Sequence, residues 1–196
     1  MPRAGLTAER LTVAAAELAD ADGLEAVTAA AVARRFGVRT ASIYAHVGGT
    51  PDLRRRVALL ALDETATVLA DALAGRSGRD ALGALGDTYR AYAARHPGRW
   101  AAMQTPLDAA TAAGSAGPRH ADLLGAVLRG YHLDGDARTH AVRLVGSVVH
   151  GFVDLELGGG FDHSAPAATS SWTAILDAVH HTLQTWTDHD PTGDPQ

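Results

Sequence analysis

The sequence predicts an all-α fold. Apolar residues recur three and four positions apart along most of the 196-residue chain, strand-like alternation is missing, and cap and stop residues cut the chain into helix-length pieces. Leu11, Ala14, Ala15 and Leu18 follow i, i+3, i+4, i+7 behind Thr7, an N-cap residue, and Gly23 stands where a left-handed residue ends a helix. Thr28 offers a cap to a second, short helix reaching Phe36; Gly37 stops it, and a third short helix is expected from about Thr40 to His46. Thr50-Pro51 reads as a cap followed by proline at the first helical position, opening a long helix that ends near Ala74, before the break at 75–78.

Further helices are expected over 79–95, 97–103 and 117–131, with the His96-Pro97 break and a small-residue loop at 109–115 between them. The last two run from Gly135, behind Asp134 as cap, to Leu157, and over 170–187. The polar stretch 188–196 carries two prolines and reads as a flexible tail. The chain therefore divides into an N-terminal domain of three short helices, 1–50, a helical domain, 51–187, and that tail.

Composition narrows the function. With no cysteine, disulfides, thiolate nucleophiles and cysteine-ligated zinc are excluded. The start of the chain, Met1 to Gly5, lacks the apolar core of a signal peptide, and no apolar run is long enough to span a bilayer, so a cytoplasmic protein is expected. The net charge of −5 argues against indiscriminate nucleic-acid binding, yet it is unevenly divided. Residues 1–62 hold eight Arg against six acids (+2), and 63–196 hold nine against sixteen (−7).

The specific signal lies between Phe36 and Val47. Val32 and Phe36 share a face of the second helix, Val38 sits at the turn, and Ile43 and Val47 share a face of the third at i, i+4, the apolar pattern that locks a helix-turn-helix. With those groups inward, Arg39, Thr40, Ala41, Ser42, Tyr44 and His46 are left for the outer surface. Arg39 suits guanine O6 and N7, Thr40 bonds several bases, and Ala41 fits a thymine methyl; Ser42, Tyr44 and His46 suit phosphates. Six arginines (34, 35, 39, 54, 55, 56) against Asp52 alone put the strongest positive field at this point. The Arg54-Arg55-Arg56 run reads equally as a solvated face.

Residues 7–55 resemble the TetR (tetracycline repressor-like) family: Gly23-Leu24-Glu25, Thr28, Gly37-Val38, Ile43-Tyr44, His46-Val47 and Leu53 fall at that family's spacing. The resemblance implies a ligand-released repressor that binds a palindromic operator on double-stranded DNA as a homodimer, with a transcriptional activator of the same fold as the alternative. It implies base contacts from Arg39, Thr40 and Ala41 and backbone contacts from Thr28, Ser42, Tyr44 and His46. Two positions depart: Thr50 stands where many members have a phosphate-binding lysine, and Ala30 where a polar or basic residue is common. Thr50 is carried as a DNA-contact candidate all the same.

In the second domain, Trp172, Ile175, Leu176, Val179, Leu183 and Trp186 form one helical stripe, and Ala141, Leu144, Val145, Val148, Val149, Phe152 and Val153 another, with Gly146 and Gly151 permitting close approach. Part of this surface must be the chain's own core. The resemblance implies that the two helices also pair with a second copy. The segment 149–156 resembles a TetR subgroup with a Trp-His-Gly signature, Val149 replacing the tryptophan. His150 and Asp154, one turn apart, fit a polar ligand contact, a metal pair or a buried hydrogen bond. Tyr89, Tyr92, Trp100, Met103, Gln104, His150, Phe152 and Asp154 are the candidate lining for an unidentified small-molecule effector. No cofactor or metal is expected. Ser147 with His150 and Asp154, or His180-His181, supply the residues for an enzyme, but their spacing is poor and no nucleophile elbow, metal helix, Walker loop or dinucleotide fingerprint accompanies them.

Overall fold

The computed structural model describes residues 5–133 and 135–186, so the Asp134 cap and the 188–196 tail lie outside the described residues. Ten α-helices run in order: α1 Ala8–Asp22, α2 Ala29–Arg35, α3 Thr40–Ile43, α4 Thr50–Leu73, α5 Gly78–Arg95, α6 Pro97–Met103, α7 Ala109–Ala113, α8 Gly117–Leu128, α9 Gly135–Leu157 and α10 Ala168–Gln184. No strand occurs among the described residues.

Local chemistry sets the boundaries. Thr7 accepts a hydrogen bond from the Arg10 N–H and Thr28 one from the Ala31 N–H, each satisfying an amide that its helix leaves unpaired. Gly37, at φ 65°, makes the turn after α2 in a conformation that would strain any side-chain-bearing residue. Two details differ from expectation. Asp108 caps a short helix, α7, inside the segment read as a loop, its carboxylate accepting from the Thr111 amide at 2.9 Å. The helix expected over 117–131 closes at Leu128 and passes through a 3-10 turn, Arg129–Tyr131.

Two large apolar cores result, beside a small third cluster of Ala93, Trp100 and Val153. The N-terminal core gathers Leu11, Ala15, Ala19, Val27, Val32, Ile43 and Val47, together with Leu53, Val57 and Ala58 from α4 and Ala102 from α6. The C-terminal core holds Leu69 and Leu73 of α4, Leu82 and Leu85 of α5, Val145, Val149 and Phe152 of α9, and Trp172, Leu176, Val179 and Leu183 of α10. The 24 residues of α4 thus serve both cores along a length of about 36 Å. The α10 stripe, expected to lie partly between two copies, is in its central positions the chain's own core. Gly86 lets Trp172 approach α5: a Cβ at Gly86 would stand 2.6 Å from Trp172 Cζ2.

Candidate nucleic-acid interface and effector domain

The reading surface is built from behind. Ile43 is fully buried and Val47 nearly so, and both rest on Val32 and Leu53 in the N-terminal core. That seat turns Arg39, Ala41, Ser42, Tyr44 and His46 to solvent, with Thr40 half-buried; Tyr44 is 60% exposed. Arg39 is the N-cap of α3, and the helix passes after Ile43 into hydrogen-bonded turns through Val47. The third helix is therefore shorter than the seven residues expected, with Tyr44 and His46 in the turn that follows it.

Most of the local arginines are occupied. Arg54 donates to the Val27 and Glu25 carbonyls and to the Glu25 carboxylate, tying α4 to the segment before α2. Arg55 and Arg56 flank Asp52, and Arg35 pairs with Glu17. Burial opposes ionisation of Asp52, but the Gly48 N–H and the Arg56 and Arg55 guanidiniums outweigh it and hold the carboxyl below its ordinary value. Arg34 and Arg39 are exposed and make no ion pair among the described residues. Thr50 also differs from its expected role: it is the first helical residue of α4 rather than its cap, and its hydroxyl accepts from the Ala29 N–H at 3.0 Å.

In the C-terminal domain, rings from four helices meet. Trp100 of α6 stacks on His150 of α9 with centroids 4.6 Å apart, and Tyr89 of α5 meets both at 5.9 and 6.0 Å. Tyr89 donates through its hydroxyl to His120 Nδ1 at 2.7 Å, because His120 Nε2 lies 2.9 Å from the Leu62 carbonyl and must carry the proton there. Burial lowers the pKa of His120, with Arg119 adding to it; burial also lowers that of His150, against the nearby Asp154. Burial raises the Tyr89 hydroxyl far above its usual range. Asp154 accepts from Trp100 Nε1 at 2.7 Å and from the Gln104 amide at 3.1 and 3.2 Å. Met103 packs against Trp100 and Val153.

Two expected lining residues lie elsewhere. Phe152 meets the tilted rings of Phe161 and Trp172 under the Arg90 guanidinium, in the other core. Tyr92 turns to α4 and donates to Glu64 at 2.8 Å. Residues 150 and 152 fall about 200° apart around a helix, so one ring cluster does not collect both. His120 was missed from sequence, though as a lone histidine with Leu123, Leu124 and Val127 three, four and seven positions on it stands on an apolar face. For His150 and Asp154, hydrogen bonding to α6 describes Asp154, and no trio of ligating side chains fit to hold a metal occurs among the described residues. Among the described residues, no helix is long and apolar enough to cross a membrane.

The profile of "Bacterial regulatory proteins, tetR family" matches residues 11–57, and that of "Tetracyclin repressor-like, C-terminal domain" matches residues 82–179. The uncharacterized HTH-type transcriptional regulator Rv0681 of Mycobacterium tuberculosis is 35% identical over 166 residues, covering 81% of this chain and 74% of that protein. The chain belongs to the TetR family of transcription regulators. Solved structures share its fold: a Rhodococcus sp. RHA1 protein of unknown function superimposes with TM-score 0.75 at 20% identity, over 94% of this chain and 100% of that one. The Streptomyces coelicolor TetR family protein ActR in complex with (S)-DNPA gives 0.64 at 18% identity, over 92% and 98%.

As in other TetR proteins, a DNA-binding helix-turn-helix precedes a helical ligand-binding domain. One outer surface of this TetR chain remains apolar. On α9, Leu144 and Val148 are half-exposed, Gly151 is exposed, and Leu155 is 55% exposed; Ala174, Ala178 and Thr182 of α10 are exposed at successive turns. A Cβ at Gly151 would meet no atom within 4 Å, so the stripe is open there; Gly146, about 140° around α9 from Gly151, is not part of it.

Proposed function

We propose that this protein is a repressor that binds a palindromic operator as a homodimer and lets go when a small molecule enters the Trp100 cluster. The observation that carries the reading is the outward presentation of Arg39 at the start of α3, with Ala41, Ser42, Tyr44 and His46 exposed around it and Ile43 and Val47 fixed behind. Arg39, Thr40 and Ala41 face base edges in the major groove, where a well-placed bidentate side chain is worth about 1–3 kcal/mol against a wrong base. Thr28, Ser42, Tyr44, His46 and Thr50 meet phosphates; the hydroxyls of Thr28 and Thr50 accept from amides and keep their hydrogens free to donate.

The exposed stripe of Leu144, Val148, Gly151 and Leu155, flanked by the small residues of α10, is the face for a second copy, glycine and alanine allowing the helices to close. A two-fold dimer places the two reading helices in successive major grooves, about 34–36 Å apart.

That ActR forms a complex with (S)-DNPA supports a small-molecule ligand for a protein of this fold. An effector entering the cluster has to part His150 from Trp100 or Gln104 from Asp154, so it favours a different placement of α6. A coupling of about 1–3 kcal/mol between the two sites is typical. The test is fluorescence anisotropy with duplexes recovered from a genomic pool, with compounds from a thermal-shift screen added. Ligands that stabilise the protein yet leave duplex affinity unchanged contradict the mechanism, and reporter expression that rises with the protein present contradicts repression.

A further inference from the structure

Val13 is turned to solvent on the outer face of α1, 46% exposed. It stands on a ridge with the exposed Glu9 and Glu17, four residues to either side, and a groove runs along each flank of that ridge. One groove, of ≈ 370 Å³, lies against α4 and is walled by Thr12, Leu59 and Leu60, with Arg56 and Asp63 at the two ends of its α4 wall. The other, of ≈ 400 Å³, is walled by Arg10, Ala14, Arg35 and Phe36. A ridge flanked by grooves is the relief by which two helical surfaces interlock.

The charges around Val13 complement a copy of the same surface. Glu9 and Asp63 are exposed and make no ion pair among the described residues. Arg35 holds Glu17 through Nη2 alone, and Arg56 holds Asp52 through Nε alone, so each guanidinium keeps donors for a second carboxylate. A two-fold axis through Val13, perpendicular to α1, exchanges positions 9 and 17. It sets Glu9 of one copy against the Glu17–Arg35 pair of the other. The same rotation exchanges the ends of the α4 wall and sets Asp63 against Arg56. Each pairing is made twice, around a centre of Val13, Leu59 and Leu60 from both copies: an apolar middle with a charged, self-complementary rim.

We infer that the outer face of α1 is a two-fold contact with a second copy of this chain, separate from the α9–α10 face. A dimer formed through α9 and α10 carries two such faces, one on each head, so dimers join into a row. The consequence for DNA, neighbouring operators filled together, rests on the operator-binding function above; the contact itself does not.

Sedimentation velocity of the full chain tests it. Two shallow grooves make a small contact of the transient class, so chain concentration is raised to the millimolar range. The weight-average mass of the parent is expected to reach twice that of Val13→Glu, or more where rows form. Glu9→Arg and Arg35→Glu each place like charges opposite one another and hold the mass at the Val13→Glu value. An equimolar mixture of the two restores opposite charges at every pairing and recovers the parent's mass, which a purely structural defect in either variant would not do. If Arg35→Glu does not fold, Asp63→Arg and Arg56→Glu give the same test alone and mixed.

A Val13→Glu mass equal to the parent's, or a mixture no heavier than its components, overturns the inference. Leu155→Glu, on the α9–α10 face, is expected to leave the α1 step in place. If the Val13→Glu chain sediments as a single copy while the parent's mass still doubles, the α9–α10 dimer fails and the α1 contact stands.

Discussion

Thr50 of α4 holds the N-terminus of α2 from outside: its hydroxyl accepts the Ala29 amide at 3.0 Å while Thr28 accepts the Ala31 amide at 3.0 Å. Two of the amides that α2 leaves unpaired are thus satisfied by side chains 22 residues apart, and the helix behind the reading head is fixed to the helix that links the two domains.

Replacing Thr50 by valine keeps the shape and removes the acceptor. Stability is expected to fall by about 1 kcal/mol, the usual cost of a lost helix cap, with Thr50→Ser restoring it. Urea denaturation checks this, and a Thr50→Val midpoint equal to the parent's contradicts it.

Gly86→Ala pushes a methyl group into the Trp172 ring, 2.6 Å from Cζ2. Overpacking of this kind costs about 1–3 kcal/mol. Thermal unfolding is expected at a lower midpoint, and shortening the ring by Trp172→Phe in the same chain is expected to recover part of the loss.

The buried histidines give stability a defined pH dependence. His120 and His150 both have folded pKa values below the ordinary value near 6.5, so the unfolded chain takes up protons first as pH falls. Stability is therefore full above about pH 6.5 and declines below it until the folded pKa values are passed, by at most about 1.4 kcal/mol per pH unit for each group. Urea midpoints at pH 7.5 and 5.5, above the carboxylate range, are expected to differ, and His120→Gln with His150→Gln to flatten the difference. A dependence that persists in the double variant places it on other groups.

Arg39→Ala and Tyr44→Phe separate reading from gripping. The first is expected to relax discrimination at the base pairs it faces, by about 1–3 kcal/mol; the second to weaken all duplexes alike. Competition titrations with single-base variants of a bound duplex distinguish them.

The head was legible because its signals are local. Val32, Val38, Ile43 and Val47 sit within sixteen residues, and the caps at Thr7 and Thr28 act on amides three positions away. Where partners are distant, sequence gave less. The Thr50 hydroxyl reaches back 21 residues to a helix end, which no spacing rule anticipates. Arg99 of α6 pairs with Asp20 of α1 and Glu64 of α4, each unremarkable within its own helix. The α10 stripe was visible, but periodicity marks an apolar face without saying what covers it. In Trp172 and Leu183 the cover is the chain itself, and the outward face of small residues carries no hydrophobic signal. Helix α7 was hidden in a run of alanines and threonine whose start depends on the Asp108 cap.

The proposed dimer shows one short helix beginning at Thr40 to each of two successive major grooves. Selection of bound duplexes from a random pool, followed by sequencing, tests it most directly. An inverted repeat with half-sites about one helical turn apart is expected, lost with Arg39→Ala. Recovery of unenriched sequence, or of a motif unaffected by Arg39→Ala, contradicts it.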